Sequence, residues 1–261
     1  MIDFSISIEL AFAEAGRSFP DRVRAAAAAG FKAVEIWDWR DKPLAELGVA
    51  LHDTGTKLET LCVEDWRDKC QLAAPAEHAE FVARVAETAR VAVELGCSKL
   101  VVLAGDRVAG QALEAQLSAA HDALAQASDA IAGLPVELLV EVVNREFEGP
   151  KALLQDSLSA LTLLRRLGRP NLRFLYDRYH AILNGEPLGW AIAGNIDLIG
   201  HIQAADIPGR HEFGAGTHDW ASELRWLEQA GYAGYVGIEA IPLGPSEALY
   251  EGATAGLRRA I

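Results

Sequence analysis

The chain has 261 residues, of which 51% are hydrophobic and 23% are charged, and its formal net charge is −13. No apolar run reaches the roughly 18 residues that a membrane-spanning helix needs, and "MIDFSISIEL" lacks the basic and apolar regions of a signal peptide. We therefore expect a cytoplasmic protein with no membrane partner. The negative charge and the scattered lysines and arginines also argue against a nucleic-acid partner.

Short apolar segments alternate with longer amphipathic ones along the chain. The predicted strands lie at residues 4–10, 33–37, 57–63, 99–105, 136–143, 172–177, 198–206 and 235–241. The predicted helices lie at about residues 18–29, 43–55, 76–95, 109–132, 150–168, 180–194, 219–230 and 245–260. This alternation predicts an α/β fold, a (β/α)8 TIM barrel in a single domain over residues 1–261. An open doubly wound sheet is the alternative, which the lack of GxGxxG after the first strand disfavours.

Polar residues terminate four consecutive predicted strands. They are Glu141 in strand five, Asp177 in strand six, Gln203 in strand seven and Glu239 in strand eight. A carboxylate in an apolar run costs several kcal/mol unless it is paired or binds a metal. Because the carboxyl ends of barrel strands meet at one mouth, these oxygens predict a site for a hard divalent cation, Mg²⁺ or Mn²⁺. Structural salt bridges are the alternative.

Two further polar residues belong to this predicted mouth. His180 lies three residues beyond Asp177, where it could contact a substrate. The loop "DIPGRHEFGAG" follows strand seven and contains Arg210, whose planar guanidinium suits a substrate carboxylate. We expect the glycines of this loop to be its flexible points. His201 lies deeper in strand seven and is interpreted as a packed core histidine.

Three segments carry a resemblance to a known family. "PNLRFLYDRYH", "IGHIQAADIPGRHEFGAG" and "GYAGYVGIEAIP" resemble the hydroxypyruvate isomerase branch of the xylose-isomerase-like barrels, a superfamily that also contains ketose 3-epimerases and inosose dehydratases. The resemblance implies a divalent metal held by Glu141, Asp177, Gln203 and Glu239. It also implies that Glu141 and Glu239 act as the acid/base pair and that His180 and Arg210 contact the substrate. Dimers or tetramers are expected by the same resemblance.

Two positions depart from the pattern of that branch. This chain has "EVVN" where the branch has "EPIN", and "EAIP" where the branch has "EYKP", so a lysine beside the second glutamate is missing. The metal ligands are unaffected, whereas the choice of substrate depends on such neighbours.

The residues and the resemblance together predict proton transfer next to a carbonyl group. A metal stabilises the enediolate that forms, and two carboxylates remove and return protons. The favoured reaction interconverts hydroxypyruvate and tartronate semialdehyde, with Arg210 holding the substrate carboxylate. A ketose 3-epimerase with the same metal site is the main alternative. An inosose dehydratase-like lyase, a zinc-dependent DNA-repair endonuclease and a sugar-binding barrel without turnover are further alternatives.

Overall fold

The structure is a computed structural model that describes residues 2–146 and 151–258. Eight strands follow one another along the chain, each close to a predicted one. They are β1 (Asp3–Ser7), β2 (Ala33–Glu35), β3 (Lys57–Cys62), β4 (Lys99–Leu103), β5 (Glu137–Glu141), β6 (Leu172–Asp177), β7 (Ile199–Ala204) and β8 (Tyr235–Ile238). The strands form a closed barrel in chain order. The predicted (β/α)8 fold is thereby confirmed.

Helices connect the strands at the predicted places, with one correction. They are α1 (Phe19–Ala28), α2 (Leu44–Thr54), α3 (His78–Leu95), α4 (Leu113–Ala130), α5 (Ser157–Leu167), α6 (Arg178–Leu183), α7 (Leu188–Ile192), α8 (Trp220–Gln229) and α9 (Leu249–Arg258). The single helix predicted over residues 180–194 is wrong, because Gly185 adopts a positive φ of 76° that ends α6, and Pro187 then precedes α7. Residue 150 and residues 259–260 of the predicted helices lie outside the described residues.

The chain forms two compact units, which we describe separately. The first unit comprises Met1–Thr60 and His201–Ile261. Within it β1 pairs in parallel with β2 and with β8, and β8 pairs with β7. The strand register places Ser5 and Gln203 on either side of Gly237. A row of small and polar residues therefore crosses three neighbouring strands of this unit.

The second unit comprises Leu61–Gly200. Its central strands β4, β5 and β6 are parallel, and the strand register places Glu141 between Leu103 and Leu175. Leu175 also belongs to a buried cluster with Val101 and Leu139. In β5 and β6 the apolar residues thus pack inside, and a carboxylate stands at the carboxyl end of each strand.

Within residues 2–146 and 151–258, no helix has the length and apolar character that a membrane crossing requires. The single-domain organisation stays a prediction.

Candidate functional site

The second unit brings three predicted site residues together. Glu141 ends β5, Asp177 ends β6, and His180 lies in the first turn of α6. One ligand atom from each of these side chains lies within 4.8 Å of the others, so the group could hold a metal ion. His180 Nε2 lies 3.3 Å from Asp177 Oδ2 and 3.8 Å from Glu141 Oε1. The side chains of His180 and Asp177 are almost completely buried, whereas that of Glu141 is 13% exposed.

The protonation of His180 follows from its neighbour Asn144. Asn144 Nδ2 lies 3.0 Å from His180 Nδ1, and an amide nitrogen can only donate. Nδ1 is therefore the acceptor, and the ring proton of the neutral imidazole is on Nε2. That N–H points toward Asp177. In this tautomer Nε2 of His180 can donate a hydrogen bond on the side of the carboxylates.

Asp177 is held by the helix that follows it. The residue is the N-cap of α6, and its Oδ1 accepts a hydrogen bond of 2.8 Å from the backbone N–H of Tyr179. Capping of this kind satisfies a helical N–H that has no partner within the helix. The other oxygen, Oδ2, is the one that faces His180. The strand-to-helix turn thereby fixes the carboxylate before any ligand binds.

In the first unit, Gln203 has an unusual hydrogen-bonding pattern. Its Nε2 donates to Glu35 Oε2 at 2.7 Å. Its Oε1 is buried and accepts no hydrogen bond among the described residues. Buried polar atoms are nearly always satisfied in proteins, and an oxygen of this kind is a suitable ligand for a hard cation. The donor chemistry of Gln203 thus fits the predicted metal.

Glu35, which the sequence prediction overlooked, is fully enclosed by donors. Its Oε1 accepts from Ser5 Oγ at 2.5 Å and lies 2.8 Å from His201 Nε2. Its Oε2 accepts from Gln203 and, at 3.4 Å, from Thr60 Oγ1. Burial raises the pKa of Glu35, but the charge of His201 and the hydrogen bonds outweigh it and leave the pKa below its ordinary value. This carboxylate is therefore held in its ionised form.

The space for Glu35 depends on a glycine in β8. A Cβ atom at Gly237 would lie 2.0 Å from Glu35 Oε1. No side chain larger than hydrogen is compatible with that position unless the carboxylate moves. The signal that could have identified Glu35 in the sequence is its place inside the apolar segment "AVEIW", where an acidic residue is as costly as at the ends of the later strands.

Glu239 follows β8 directly and has a donor at each oxygen. The indole Nε1 of Trp37 donates to Oε1 at 2.6 Å, and Arg210 Nη2 lies 2.7 Å from Oε2. The Nε of Arg210 also donates to the backbone carbonyl of Glu239 at 3.2 Å. Glu239 is buried, with only 5% of the residue exposed. Arg210 is therefore brought to Glu239, and its predicted contact with a substrate stays a prediction.

The loop that carries Arg210 is organised by the buried Asp206. Its Oδ2 accepts from the backbone N–H groups of Gly214 and Gly216, both at 2.9 Å, and its Oδ1 accepts from those of Ile207 and His218. A Cβ at Gly216 would lie 2.0 Å from the carbonyl oxygen of Ile207. Gly216 thus allows close packing around the carboxylate, whereas Gly214 adopts a positive φ of 88° with open space beside it.

Arg210 itself has left-handed backbone, with φ of 60°, which costs a non-glycine residue about 1–2 kcal/mol. Hydrogen bonds on both sides hold this conformation. The backbone N–H of Ile241 donates to the carbonyl of Arg210 at 2.7 Å, and Asp206 N donates to the carbonyl of His211 at 2.7 Å. Strain of this kind is typical of residues whose position matters for function.

The structure therefore assembles the predicted residues in two groups. Glu141, Asp177 and His180 form one group, within the second unit. Arg210 and Glu239 form the other within the first unit, where Gln203 lies on the strand adjacent to β8. His201, interpreted as a core histidine, has an exposure of 0% and contacts Glu35, as expected of a packed residue. The sequence prediction did not find the roles of Glu35, Trp37, Asn144 and Asp206.

Comparison with known proteins gives consistent results for sequence and fold. A family model described as xylose isomerase-like TIM barrel matches residues 23–260. The hydroxypyruvate isomerase of Escherichia coli is 31% identical over 95% of this chain and 96% of that protein. A protein of Streptomyces coelicolor that carries the same name provisionally is 35% identical, covering 92% of this chain and 90% of its own length.

A solved structure extends the comparison to three dimensions. The crystal structure of a Brucella melitensis protein, named as a family 2 AP endonuclease, is 27% identical and superposes with a TM-score of 0.87. The match covers 95% of this chain and 96% of that one. The barrel described above is thus similar to an experimentally determined structure over nearly its whole length.

Proposed function

Because the chain belongs to the xylose isomerase-like TIM barrel family and is an isomerase, we propose that it interconverts hydroxypyruvate and tartronate semialdehyde in a metal-dependent reaction. The observation that carries this proposal is the buried group of Glu141, Asp177 and His180. Such a group is costly to bury unless it has a function that requires converging carboxylates. The names of the Escherichia coli and Streptomyces coelicolor relatives favour this substrate.

The proposed metal ligands are Glu141, Asp177, Gln203 and Glu239, with Mg²⁺ or Mn²⁺ as the ion. All four offer oxygen, which is the donor that these cations prefer. The unsatisfied Oε1 of Gln203 supports this assignment. When bound, the cation would supply positive charge to the two substrate oxygens at which negative charge develops. The proposed ligand set consists of oxygen donors, and His180 is assigned to the substrate instead.

The proposed chemistry is a balanced proton transfer between adjacent carbons. A carboxylate removes a proton from the hydroxymethyl carbon of hydroxypyruvate, and the electron pair of that C–H bond forms the enediolate double bond. A proton then returns to the neighbouring carbon, while the hydroxyl proton moves to the other oxygen, so that an aldehyde replaces the ketone. We assign the acid/base roles to Glu141 and Glu239.

The contacts of Glu239 support its proposed role as a proton-transfer group. Trp37 and Arg210 fix the orientation of its carboxylate from two directions. Arg210 would bind the substrate carboxylate, because its planar guanidinium matches a carboxylate, and this would place the acidic substrate next to Glu239. His180 would donate its Nε2 proton to a substrate oxygen, since Asn144 leaves that N–H directed toward the carboxylates.

The proposal is tested by hydrogen exchange in D₂O. The metal-stripped protein is incubated with hydroxypyruvate, with and without Mn²⁺ or Mg²⁺, and C–H exchange and products are followed by NMR. We expect metal-dependent exchange together with formation of tartronate semialdehyde, and loss of both in Glu239→Gln. The matched control is Glu212→Gln, which should stay active, since among residues 2–146 and 151–258 the Glu212 carboxylate accepts one hydrogen bond, from the backbone N–H of Leu243.

Two other results would contradict the proposal. Exchange at C3 of a ketose such as fructose, without turnover of hydroxypyruvate, would identify a 3-epimerase. Cleavage of a duplex that contains an abasic site would favour the activity named for the Brucella melitensis structure. We expect no such cleavage, because a net charge of −13 opposes binding to a phosphate backbone.

A further inference from the structure

The two ends of the Gln203 amide have different surroundings. Nε2 donates to Glu35 at 2.7 Å, whereas Oε1 is buried without a donor among the described residues. An unsatisfied buried acceptor costs about 1–3 kcal/mol. The amide could avoid part of this cost by rotating about its terminal torsion, which has a broad, roughly two-fold preference. The position of Glu35 explains why it does not rotate.

Glu35 accepts hydrogen bonds and leaves no place for another acceptor. Four side chains direct donors at its two oxygens, namely Ser5, Thr60, His201 and Gln203. Rotation of the Gln203 amide would bring Oε1 against Glu35 Oε2 and exchange a hydrogen bond for a repulsion between two acceptors. The carboxylate therefore selects the amide orientation in which Oε1 faces away from Glu35.

Glu35 is itself unable to follow a movement of Gln203. Ser5 and His201 hold its Oε1 from two other strands, at 2.5 and 2.8 Å. Gly237 leaves just enough room for the carboxylate, because a Cβ there would lie 2.0 Å from Oε1 and 2.9 Å from Oε2. The Gln203 amide is therefore hydrogen-bonded to a carboxylate whose position is fixed.

The geometry assigns Glu35 as a positioning residue that presents Gln203 Oε1 to a divalent cation. This inference rests on the proposed function, since Gln203 is a ligand only if the site takes a metal. Residues that orient metal ligands are worth about 10–100-fold in metal affinity when they are replaced. Glu35 contacts neither metal nor substrate in this assignment and acts through Gln203 alone.

The test measures Mn²⁺ affinity by calorimetry, independently of turnover. In Glu35→Gln the new amide offers both a donor and an acceptor, so the Gln203 amide is free to turn. We expect Mn²⁺ affinity to fall about 10–100-fold. The double variant E35Q/Q203E exchanges the two groups, so that residue 35 now donates and residue 203 keeps an oxygen for the cation. It should recover most of the lost affinity, which a merely structural role of Glu35 would not allow.

The matched control is Glu59→Gln. Glu59 is another carboxylate of the first unit, and its Oε1 lies 3.9 Å from His201 Nδ1, but the hydrogen bond of the Gln203 amide goes to Glu35. This variant should keep Mn²⁺ affinity within about threefold of the wild type, well below the effect of an orienting residue. Thermal unfolding of each metal-free variant establishes that the compared proteins are folded.

The outcomes separate this inference from the proposed function. If the wild-type protein binds no Mn²⁺, the proposed function fails, and the inference fails with it. If wild type binds and Gln203→Leu loses affinity while Glu35→Gln keeps it, the proposed function stands and the inference is overturned. Failure of E35Q/Q203E to recover affinity also overturns it.

A second measurement does not depend on the variants folding. In the metal-free wild-type protein, the side-chain NH₂ signals of Gln203 should be slowly exchanging with solvent, because the group is buried and bonded to Glu35. Rapid exchange of these protons would overturn the inference.

Discussion

Replacement of Gly237 by alanine tests the geometry around Glu35 most directly. The new methyl group would lie 2.0 Å from Glu35 Oε1 and 2.8 Å from its Cδ, whereas non-bonded heavy atoms pack at roughly 3.5–4.0 Å. The carboxylate must therefore withdraw by more than about 1 Å, which breaks its hydrogen bonds with Ser5 and His201. Hydrogen bonds to a charged group contribute about 1.5–3 kcal/mol each.

We expect Gly237→Ala to lower the free energy of unfolding by about 3–6 kcal/mol, near the lower end if the contacts of Oε2 survive. The assay is urea unfolding, followed by circular dichroism. The matched control is Gly244→Ala, which follows the same strand, has no atom within 4 Å of the new Cβ and lacks a positive φ. This substitution should leave stability unchanged or raise it by about 0.4–1 kcal/mol.

If Gly237→Ala lowers the free energy of unfolding by less than about 1 kcal/mol, the reasoning is refuted, because ordinary surface substitutions already change it by up to about 0.5 kcal/mol. A double-mutant cycle with Glu35→Ala adds a second criterion. Without the Glu35 carboxylate the methyl group meets no oxygen, so Gly237→Ala should cost much less in that background. An equal cost in both backgrounds would mean that the methyl group clashes with something other than Glu35.

Three further predictions concern the Asp206 loop, the proposed acid/base residue Glu239 and a thiol. Asp206→Asn replaces one acceptor oxygen by a donor that faces two backbone N–H groups. The free energy of unfolding should therefore fall by about 2–4 kcal/mol, and trypsin should cleave faster after Arg210. An unchanged rate of cleavage would contradict this. Trp37→Phe removes the indole donor to Glu239, so kcat should fall about tenfold or more and the free energy of unfolding should fall by about 1.5–3 kcal/mol. An unchanged kcat would argue against a positioning role of Trp37. Burial and, to a smaller extent, a nearby carboxylate raise the pKa of Cys70 to about 12. At pH 8 iodoacetamide should therefore modify Cys70 only after unfolding, as mass spectrometry of peptides can establish. Labelling of Cys70 in the folded protein would contradict this.

The barrel was predictable because its strands have a simple physical signature. A parallel strand covered on both faces reads as a short, continuous apolar run, and segments such as "LRFLYD" stand out for that reason. The end of such a run marks where polar side chains collect, which led to Glu141, Asp177, Gln203 and Glu239. The break between α6 and α7 was missed, although Pro187 was visible in the sequence.

The contacts of the site were less predictable than its members. Glu35 meets Gln203 across 168 positions of sequence, and no local pattern indicates which inward-facing residues of distant strands share a level. Strand register decides this, and a single sequence gives no direct measure of register. The predicted strand ran to residue 37 and therefore placed Glu35 in its interior, whereas β2 ends at Glu35 in the structure.

The loop around Asp206 has a consequence for how this protein could change over time. The carboxylate binds backbone N–H groups, and every residue except proline carries one. The identities of the side chains between these groups are therefore not constrained by the anchor. Exposed residues such as Ala215 and Thr217 could be exchanged in a combinatorial library while the backbone path, and with it the location of Arg210, persists. Substitutions in this loop could therefore change the side chains near Arg210 while the backbone stays in place, which makes the loop a suitable region in which to select for new substrates.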